Sequence, residues 1–265
     1  MAYLEGDGRW RWHKVSNGPE GFGRILAQSP PGNVLVMEAS GPYYLQLATF
    51  LHGHGREVCV VNPLKVRRFS QMKFYRAKTD RKDAAVIAEY ALAAGPAPWS
   101  PDDAAVTGMQ QMLTALEGLD KQIGMASQQL GAFAATGSVQ PGVERALLAV
   151  LEALEKEQRE LQEQLLGLAE RHYGDSMCLL RTIPGIGPKT AAMLVALTNN
   201  FQKFTHYKQL VAYVGLSPRI YQSGTSVNGR GGICKMGKAR ARKMLYMCAW
   251  SAKRYNSGCV EIDPS

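Results

Sequence analysis

The chain has 265 residues, of which 46% are hydrophobic and 20% are charged, a composition that argues against a disordered protein. Lysines and arginines number 31 against 22 aspartates and glutamates, and the formal net charge of +9 favours an anionic partner such as nucleic acid. The sequence contains no apolar stretch of about 20 residues and no signal-peptide core, and its five cysteines form no CxxC pair. We therefore expect a soluble, cytoplasmic protein without a disulfide framework or a zinc ribbon.

Residues 1–98 predict a small α/β unit, because short strand-like runs alternate with segments of helical spacing. A turn at residues 6–8 precedes the first of these elements, and Asn62-Pro63 ends the last strand. The elements are an edge strand, a buried strand, a helix, a second buried strand and a second helix, in chain order within Arg9–Val15, Val34–Ala39, Tyr44–His54, Glu57–Val61 and Asp80–Ala94.

Residues 99–175 predict a helical linker with an acidic surface, since Pro101–Asp175 contains 12 acidic and five basic residues. Leucines recur there in steps of four and three with one polar position, Gln158, which is typical of a helix–helix seam. The seam fits an antiparallel hairpin, a coiled-coil dimer or a helix packed within its own subunit. The hairpin would have its first arm within Asp103–Gln129 and its turn within Thr136–Gly142. The seam leucines are Leu147, Leu151, Leu154, Leu161, Leu165 and Leu168.

Basic residues are concentrated in two segments on either side of this linker. Arg56–Lys82 contains nine basic and two acidic residues, and Ser176–Val260 contains 13 lysines and arginines and no carboxylate side chain. A run of charge is usually a solvated face. Thirteen cations in 85 residues repel one another, however, and we expect this repulsion to be offset by a partner.

Residues 181–194, RTIPGIGPKTAAML, have the pattern of a helix-hairpin-helix. Gly185 and Gly187 allow a tight turn and a close approach to another backbone, and Pro188 suits the first position of a helix. The amides of that helix N-terminus could bind a phosphate with the help of Lys189, independently of base sequence. The alternative is a tight helix–helix turn without a ligand.

Three carboxylates are candidates for a metal site. Asp80 and Asp83 are three residues apart and therefore share one face of a helix, where two carboxylates can bind a divalent cation. Glu38 ends a predicted strand, the position at which ligands usually bind an α/β sheet. Helix capping is the alternative, and the spacing alone favours it. Thr79 or Asp80 could be an N-cap, the helix dipole favours Asp83 in the first turn, and Glu38 could cap the turn at Gly41.

The glycine-rich segment 220–232 carries two hydroxyls, Ser223 and Ser226, and no acidic residue. A serine on a flexible loop among cations could attack a phosphodiester, because cations stabilise the developing negative charge. From the residues alone, a loop whose serines only form turns is favoured. Neither a histidine ligand spacing nor a Ser/His/Asp hydrolase signature is present.

Together and in this order, these segments resemble the DEDD transposases of bacterial insertion sequences, of the IS110 type, a group that includes the Piv and MooV DNA invertases. The resemblance covers nearly the whole chain. Its N-terminal part consists of Glu38, Ser40-Gly41, Tyr43, Val61-Asn62-Pro63, Lys78-Thr79-Asp80 and Asp83-Ala84. Its C-terminal part consists of Ile183–Gly187, Gly215–Pro218, Gln222–Gly224 and Lys235–Gly237.

The resemblance implies three domains. They are a RuvC-like, RNase H-type α/β catalytic domain at residues 1–98, a helical coiled-coil linker at residues 99–175, and a mainly α transposase domain with a helix-hairpin-helix at residues 176–265. Glu38, Asp80 and Asp83 match the last three acidic residues of the DEDD set, which binds Mg²⁺ or Mn²⁺. Ser223 matches the family's nucleophile, which forms a covalent 5′-phosphoserine link to DNA. The residues expected to bind nucleic acid are Gly185, Gly187, Lys189, Arg219, Arg230, Lys235 and Lys238.

The implied partners are DNA, a structured bridge RNA in some members, and further copies of the chain in a dimer or tetramer. The family's first aspartate lies on a strand that precedes a segment resembling Gly6–Gly21, and the family continues with helix after Asn256. We therefore expect a chain shortened at both ends, which would be inactive if the family's first catalytic aspartate is indispensable. The leading interpretation is metal-assisted serine attack on DNA during transposition. The alternatives are a catalytically inactive nucleic-acid-binding remnant and a RuvC-like junction nuclease that uses water.

Overall fold

A computed structural model describes residues 2–4, 10–75, 79–219, 221–223, 227–229 and 232–255. The chain divides into two compact units, Met1–Pro101 and Asp102–Ser265. The described residues are mostly helical, with three two-stranded sheets. None of the helices within these ranges is long and apolar enough to cross a membrane.

In the first unit, the described residues form four short strands and four helices. In chain order they are β1 (Ala2–Leu4), β2 (Trp10–Trp12), α1 (Pro19–Gln28), β3 (Leu35–Glu38), α2 (Tyr43–Gly53), β4 (Val58–Val61), α3 (Pro63–Met72) and α4 (Asp80–Ala94). Strands β1 and β2 are antiparallel, whereas β3 and β4 are parallel and joined through α2, with Leu35 opposite Val58 and Glu38 opposite Val61. The predicted strand–helix–strand unit and the bounds of α4 are confirmed; the predicted turn at residues 6–8 lies outside the described residues.

Side chains of β3 alternate between two apolar clusters, one on each face of the parallel pair. Leu35 and Met37 pack with the cluster around Leu51 and Val58, whereas Val36 packs with the cluster of Val61, Val66 and Val86. Because the strand period is two, Glu38 lies on the same face as Val36, the face covered by α3 and α4. Burial of apolar side chains on both faces explains why both strands read as continuous hydrophobic runs.

Helices α1 and α3 were not predicted from the sequence, although each begins with a recognisable signal. The side chain of Asn62 accepts a hydrogen bond from the amide of Leu64 at 2.8 Å, and Pro63 occupies the first position of α3. The sequence prediction used Asn62-Pro63 only as the end of a strand. An Asn N-cap followed by proline is also a helix start, and here the helix begins directly after the strand.

The second unit is built around a long pair of helices. Its elements are α5 (Ala104–Ala134), α6 (Pro141–Arg181), α7 (Pro188–Thr198), α8 (Tyr207–Val214), β5 (Tyr221–Ser223), β6 (Val227–Gly229) and α9 (Ala239–Tyr255). Helix α7 is the centre of the core, since every residue from Thr190 to Ala196 is buried. Residues of α5, α6, α8 and α9 pack against it in a single apolar cluster.

The leucine seam of α6 faces α5 of the same chain, as expected for a helical hairpin. Leu165 is fully buried in the cluster, and Leu161 and Leu168 pack against it. At the polar seam position, the amide of Gln158 donates a hydrogen bond to the carboxylate of Asp120 on α5 at 2.5 Å. The polar residue therefore pairs across the two arms and favours one register over its neighbours.

Candidate functional site

The turn between α6 and α7 has the backbone that the Pro-Gly-Ile-Gly pattern predicts. Gly187 is the N-cap residue of α7 in an extended conformation, Pro188 follows at the first helical position, and no described side chain caps the first turn. The first amides of α7 are therefore not satisfied by a capping side chain, which suits a phosphate. Lys189 lies half-buried in that first turn.

Gly185 is required by the way this turn packs against α9. Its φ is +90°, and a Cβ at this position would lie 2.4 Å from the carbonyl oxygen of Cys248 and 3.2 Å from the amide of Ala252. A Cβ at Gly187 would meet no atom within 4 Å. The two glycines therefore have different roles: Gly185 permits close backbone contact, and Gly187 starts a helix.

The three predicted metal ligands lie on α4 and on the strand that it covers. Asp80 and Asp83 are exposed in the first turn of α4, and Glu38 is partly buried at the carboxyl end of β3. Asp83 precedes Val86 by three residues and so shares its face of α4, the face that packs on β3. The carboxylate of Glu38 accepts a hydrogen bond from the hydroxyl of Ser40 at 2.9 Å.

Thr79 is the N-cap residue of α4, and Asp80 and Asp83 lie in its first turn, where the helix dipole favours carboxylates, as the capping interpretation predicts. The Thr79 hydroxyl accepts a hydrogen bond from the amide of Lys82 at 3.2 Å, and its carbonyl accepts one from the amide of Asp83 at 2.8 Å. Helix α2 has Pro42 as its N-cap residue and no side-chain cap, so Glu38 does not cap it. Within the described residues, neither aspartate accepts a capping hydrogen bond, but the first-turn position by itself accounts for both of them.

Two other charged side chains of α4, Lys82 and Glu89, contact Tyr75. The Tyr75 hydroxyl donates a hydrogen bond to Glu89 at 2.8 Å, and the ammonium of Lys82 lies 3.6 Å from the centre of the Tyr75 ring. The hydrogen bond to Glu89, together with burial and the Glu89 charge, raises the pKa of the Tyr75 hydroxyl. Glu89 thus accepts a hydrogen bond from Tyr75, whereas Asp80 and Asp83 are exposed in the first turn of α4.

Three carboxylates provide the hard oxygen ligands that Mg²⁺ and Mn²⁺ prefer. Within the described ranges, however, no group of three or more His, Cys, Asp or Glu side chains stands close enough together to hold a metal ion. The donor chemistry thus fits a divalent cation, and the structure does not assemble the three ligands around one point.

Ser223 lies at the end of a strand, whereas the sequence predicted a flexible loop. Strands β5 and β6 are antiparallel, and Ser223 pairs with Val227. Tyr221 and Val227 have the high strand propensity that stabilises such a ladder, which explains the difference. Ser226 and Arg230 lie outside the described residues.

Two predicted cations, Arg219 and Lys235, lie on backbone segments that precede β5 and follow β6. The amide of Arg219 donates to the carbonyl of Gly232 at 2.9 Å, and the amide of Lys235 donates to the carbonyl of Gly215 at 3.1 Å. Both side chains are exposed, as is Lys238, whose ammonium lies 5.8 Å from the centre of the Tyr213 ring. The structure therefore places Arg219 and Lys235 on two hydrogen-bonded segments that flank β5 and β6 along the chain.

Several of the 13 cations of Ser176–Val260 have partners inside the unit, which corrects the expectation that an external partner must offset all of their repulsion. The ammonium of Lys203 lies 2.6 Å from Asp102, and the guanidinium groups of Arg240 and Arg181 lie 3.7 Å from Glu117 and 3.8 Å from Glu170. Each acidic partner belongs to the acidic segment 101–175. The fold therefore pairs part of the basic segment with the acidic one.

Arg240 and Arg242 also bind backbone carbonyls. The Arg240 guanidinium donates to the carbonyl of Leu113, and that of Arg242 donates to the carbonyl of Val214 at 2.8 Å. Neither is among the predicted nucleic-acid-binding residues. No described residue forms an ion pair with Lys189, Arg219, Lys235 or Lys238.

Comparison with known proteins gives two family matches. A model described as "Transposase IS116/IS110/IS902 family" matches residues 177–261, and a DEDD model of the IS110 type, described as "Transposase", matches residues 5–134.

Similar proteins include the pilin gene-inverting proteins of Moraxella lacunata and Moraxella bovis, each 28% identical over 215 residues, which is 81% of this chain and 66% of the relative. The transposase for insertion sequence element IS1328 of Yersinia enterocolitica is 26% identical over 254 residues, 85% of this chain and 72% of the relative. The chain thus spans 66% of the length of the two pilin gene-inverting proteins.

Proposed function

We propose that this chain, which belongs to the IS110-type family of DEDD transposases, acts as a transposase or DNA recombinase of an insertion sequence. The observation that carries the proposal is the match of both family models, over residues 5–134 and 177–261, to the two segments that hold the candidate residues. Relatives named as transposases and as gene-inverting proteins support the same class of reaction.

The proposal includes a RuvC-like fold for residues 1–98. A parallel strand pair with helices on both faces is consistent with such a fold. The helical segment 99–175 then serves as the linker, and residues 176–265 as the transposase domain with its helix-hairpin-helix. We expect the leucine-rich arms to contribute to assembly of a dimer or tetramer.

Glu38, Asp80 and Asp83 are the proposed ligands of Mg²⁺ or Mn²⁺. The exposed carboxylates of Asp80 and Asp83 on α4, and the face of β3 that carries Glu38, support this assignment. A bound divalent cation supplies Lewis-acid stabilisation of negative charge on a phosphodiester. Binding also offsets the mutual repulsion of the three carboxylates.

Ser223 is the proposed nucleophile. Its Oγ forms a bond to the phosphorus of a DNA phosphodiester, the bond from phosphorus to the 3′ oxygen breaks, and the serine proton ends on the released 3′ hydroxyl. The product is a 5′-phosphoserine link. Arg219, Lys235 and Arg230 stabilise the charge of the transition state, but ammonium and guanidinium groups are poor proton acceptors. The proton therefore passes through another group, a role that we assign to the carboxylates.

DNA is the proposed substrate, and a structured bridge RNA is a further partner by analogy with members of the family. The uncapped first turn of α7, with Gly185, Gly187 and Lys189, would bind the sugar–phosphate backbone without reading bases. The exposed side chains of Arg219, Lys235 and Lys238 extend the cationic surface of the same unit.

The test is a search for the covalent intermediate. We expect the protein, incubated with Mg²⁺ and DNA carrying the element's junction, to give a denaturant-resistant protein–DNA band. Ser223→Ala should abolish the band and leave equilibrium DNA binding within about twofold, because one hydroxyl contributes little to a phosphate-dominated affinity. Ser226→Ala, in the same glycine-rich segment, is the matched control and should keep the band. Asp83→Asn should lose the band and retain binding.

The other outcomes separate the alternatives. DNA cleavage without an adduct would favour the water-using nuclease. Binding without cleavage or adduct would favour the inactive remnant, to which the lack of an assembled three-carboxylate site within the described residues lends support. Loss of the adduct in Ser226→Ala alone would show that the assignment within the segment is wrong.

A further inference from the structure

Helix α9 has a core face and an outer face of unusual composition. Ala241, Leu245 and Ala252 recur at spacings of four and seven and pack toward the core of the unit, on the side where Gly185 contacts the backbone. At 3.6 residues per turn, the opposite side carries Lys243, Tyr246, Met247, Trp250 and Arg254, here named the α9 outer face.

The α9 outer face exposes large apolar surface to solvent. Tyr246 is 63% exposed, Met247 is 60% exposed and Trp250 is 52% exposed. The solvent side of a surface helix normally carries charged and polar side chains, so three adjacent exposed side chains of this kind indicate a contact surface. No residue of the described ranges covers them.

The two rings are held in place before any partner binds. The indole Nε1 of Trp250 donates a hydrogen bond to the hydroxyl of Tyr246 at 2.9 Å. The guanidinium of Arg254 lies 5.8 Å from the centre of the Trp250 ring, within cation–π range. Their order reduces the entropy that a ligand must remove when it stacks on them.

The charged residues of α9 itself are all cations. Helix α9 contains five lysines and arginines and no acidic residue. Arg240 and Arg242 are bound to internal carbonyls, whereas Lys243 and Arg254 are exposed on the same face as the rings. A face with exposed aromatic rings and cations matches a ligand that has both flat rings and negative charge.

We propose that the α9 outer face binds unpaired nucleotides by stacking their bases on Trp250 and Tyr246, with Lys243 and Arg254 on the phosphates. Bases in a duplex are already stacked on their neighbours, so only a single-stranded segment can use these rings. This inference extends the proposed function, because it assigns a second mode of nucleic-acid binding to the unit that carries Ser223 and does not use the α7 turn.

The test compares one sequence as a single-stranded DNA oligonucleotide, as single-stranded RNA, as a duplex, and as a single strand in which every base is replaced by an abasic site. We expect Trp250→Ala to weaken binding of the single strands about tenfold, roughly the loss of one stacked base, and to leave duplex binding within about twofold. The abasic strand keeps the phosphates and should bind equally well to parent and variant. Binding of the single strand should also quench tryptophan fluorescence in the parent more than in Trp250→Phe.

Met247→Ala is the matched control, since it removes an exposed side chain of the same face that cannot stack. It should change single-strand affinity by less than about twofold. Equal losses in Met247→Ala and Trp250→Ala, or equal losses on single strand and duplex, would overturn the proposal. A change of oligomeric state in Trp250→Ala, measured by sedimentation, with single-strand affinity unchanged would show that the face binds a second copy of the chain. A larger effect on RNA than on DNA would identify RNA as the source of the unpaired bases.

The outcome is independent of the serine chemistry. Ser223→Ala should bind every oligonucleotide like the parent protein. A missing adduct together with selective single-strand loss in Trp250→Ala would remove the catalytic proposal and keep this one.

Discussion

The two glycines of the α6–α7 turn, Gly185 and Gly187, have different structural roles. Gly185 combines a positive φ with a backbone carbonyl where a Cβ would be, and Gly187 has neither constraint. The sequence pattern PGIG suggested both roles, a tight turn and a close approach. Only the position of α9 determines that the close approach belongs to Gly185.

We expect Gly185→Ala to lower the free energy of unfolding by about 2–4 kcal/mol, from the left-handed conformation and from overlap with the Cys248 carbonyl. Gly187→Ala, two residues away, should cost at most about 1 kcal/mol, the price of a poorer N-cap residue. Urea denaturation of the two variants measures the difference. Equal stabilities would show that the turn does not pack against α9 as described.

The leucine pattern of α6 by itself was compatible with several packing partners. Alternating steps of four and three fit a seam within the chain or between chains. The structure places α5 against this seam, and the hydrogen bond of Gln158 to Asp120 joins the arms. The seam is not equally buried along its length, since Leu165 is fully buried and the residues nearest the turn are more exposed.

Leu165→Ala should therefore destabilise the second unit by about 2–5 kcal/mol, because it leaves a cavity in the cluster around α7. Leu148→Ala, on the same helix and 49% exposed, should change stability by less than about 1 kcal/mol. Thermal or chemical unfolding provides the comparison. A large effect at Leu148 and a small one at Leu165 would place the important packing near the hairpin turn instead.

Some of the lysines and arginines behind the net positive charge lie close to carboxylates of the same chain. Lys203, Arg181 and Arg240 each lie close to a carboxylate of segment 101–175. Exposed ion pairs contribute little to stability, but cations held in this way are poorly placed to neutralise phosphates. The affinity for nucleic acid should depend on the lysines and arginines that have no such internal partner.

This distinction predicts different behaviour for two cations of one unit. Lys189→Met should weaken duplex binding by a similar factor on unrelated sequences and reduce the salt dependence of log K by about 0.9, the loss of one phosphate contact. Arg240→Met should leave that slope unchanged and lower the free energy of unfolding by about 1 kcal/mol, through the lost hydrogen bond to Leu113. Binding titrations at several salt concentrations measure the slopes. A smaller salt dependence of log K in Arg240→Met would show that Arg240 contacts phosphate in spite of its internal partners.

The sequence by itself was sufficient to predict features that depend only on residues close together along the chain. Residue spacing and turn residues were sufficient for the bounds of α4, the strand–helix–strand order of β3, α2 and β4, the start of α7 at Pro188 and the helical character of α5 and α6. The segregation of charge was also visible, as were the motifs that placed the chain near its family. Each of these rests on local backbone preference or on the period of apolar side chains.

Only the tertiary structure decided which distant residues meet. It paired Lys203 with Asp102 and Arg240 with Glu117, joined the backbone of Arg219 to Gly232 and that of Lys235 to Gly215, and gave α9 an outer face with Tyr246 and Trp250. Such contacts join residues up to about 130 positions apart, and they follow from how the helices pack around α7. A local pattern fixes the face of an element and not its partner, because the free energy that selects the partner comes from burial of the whole core.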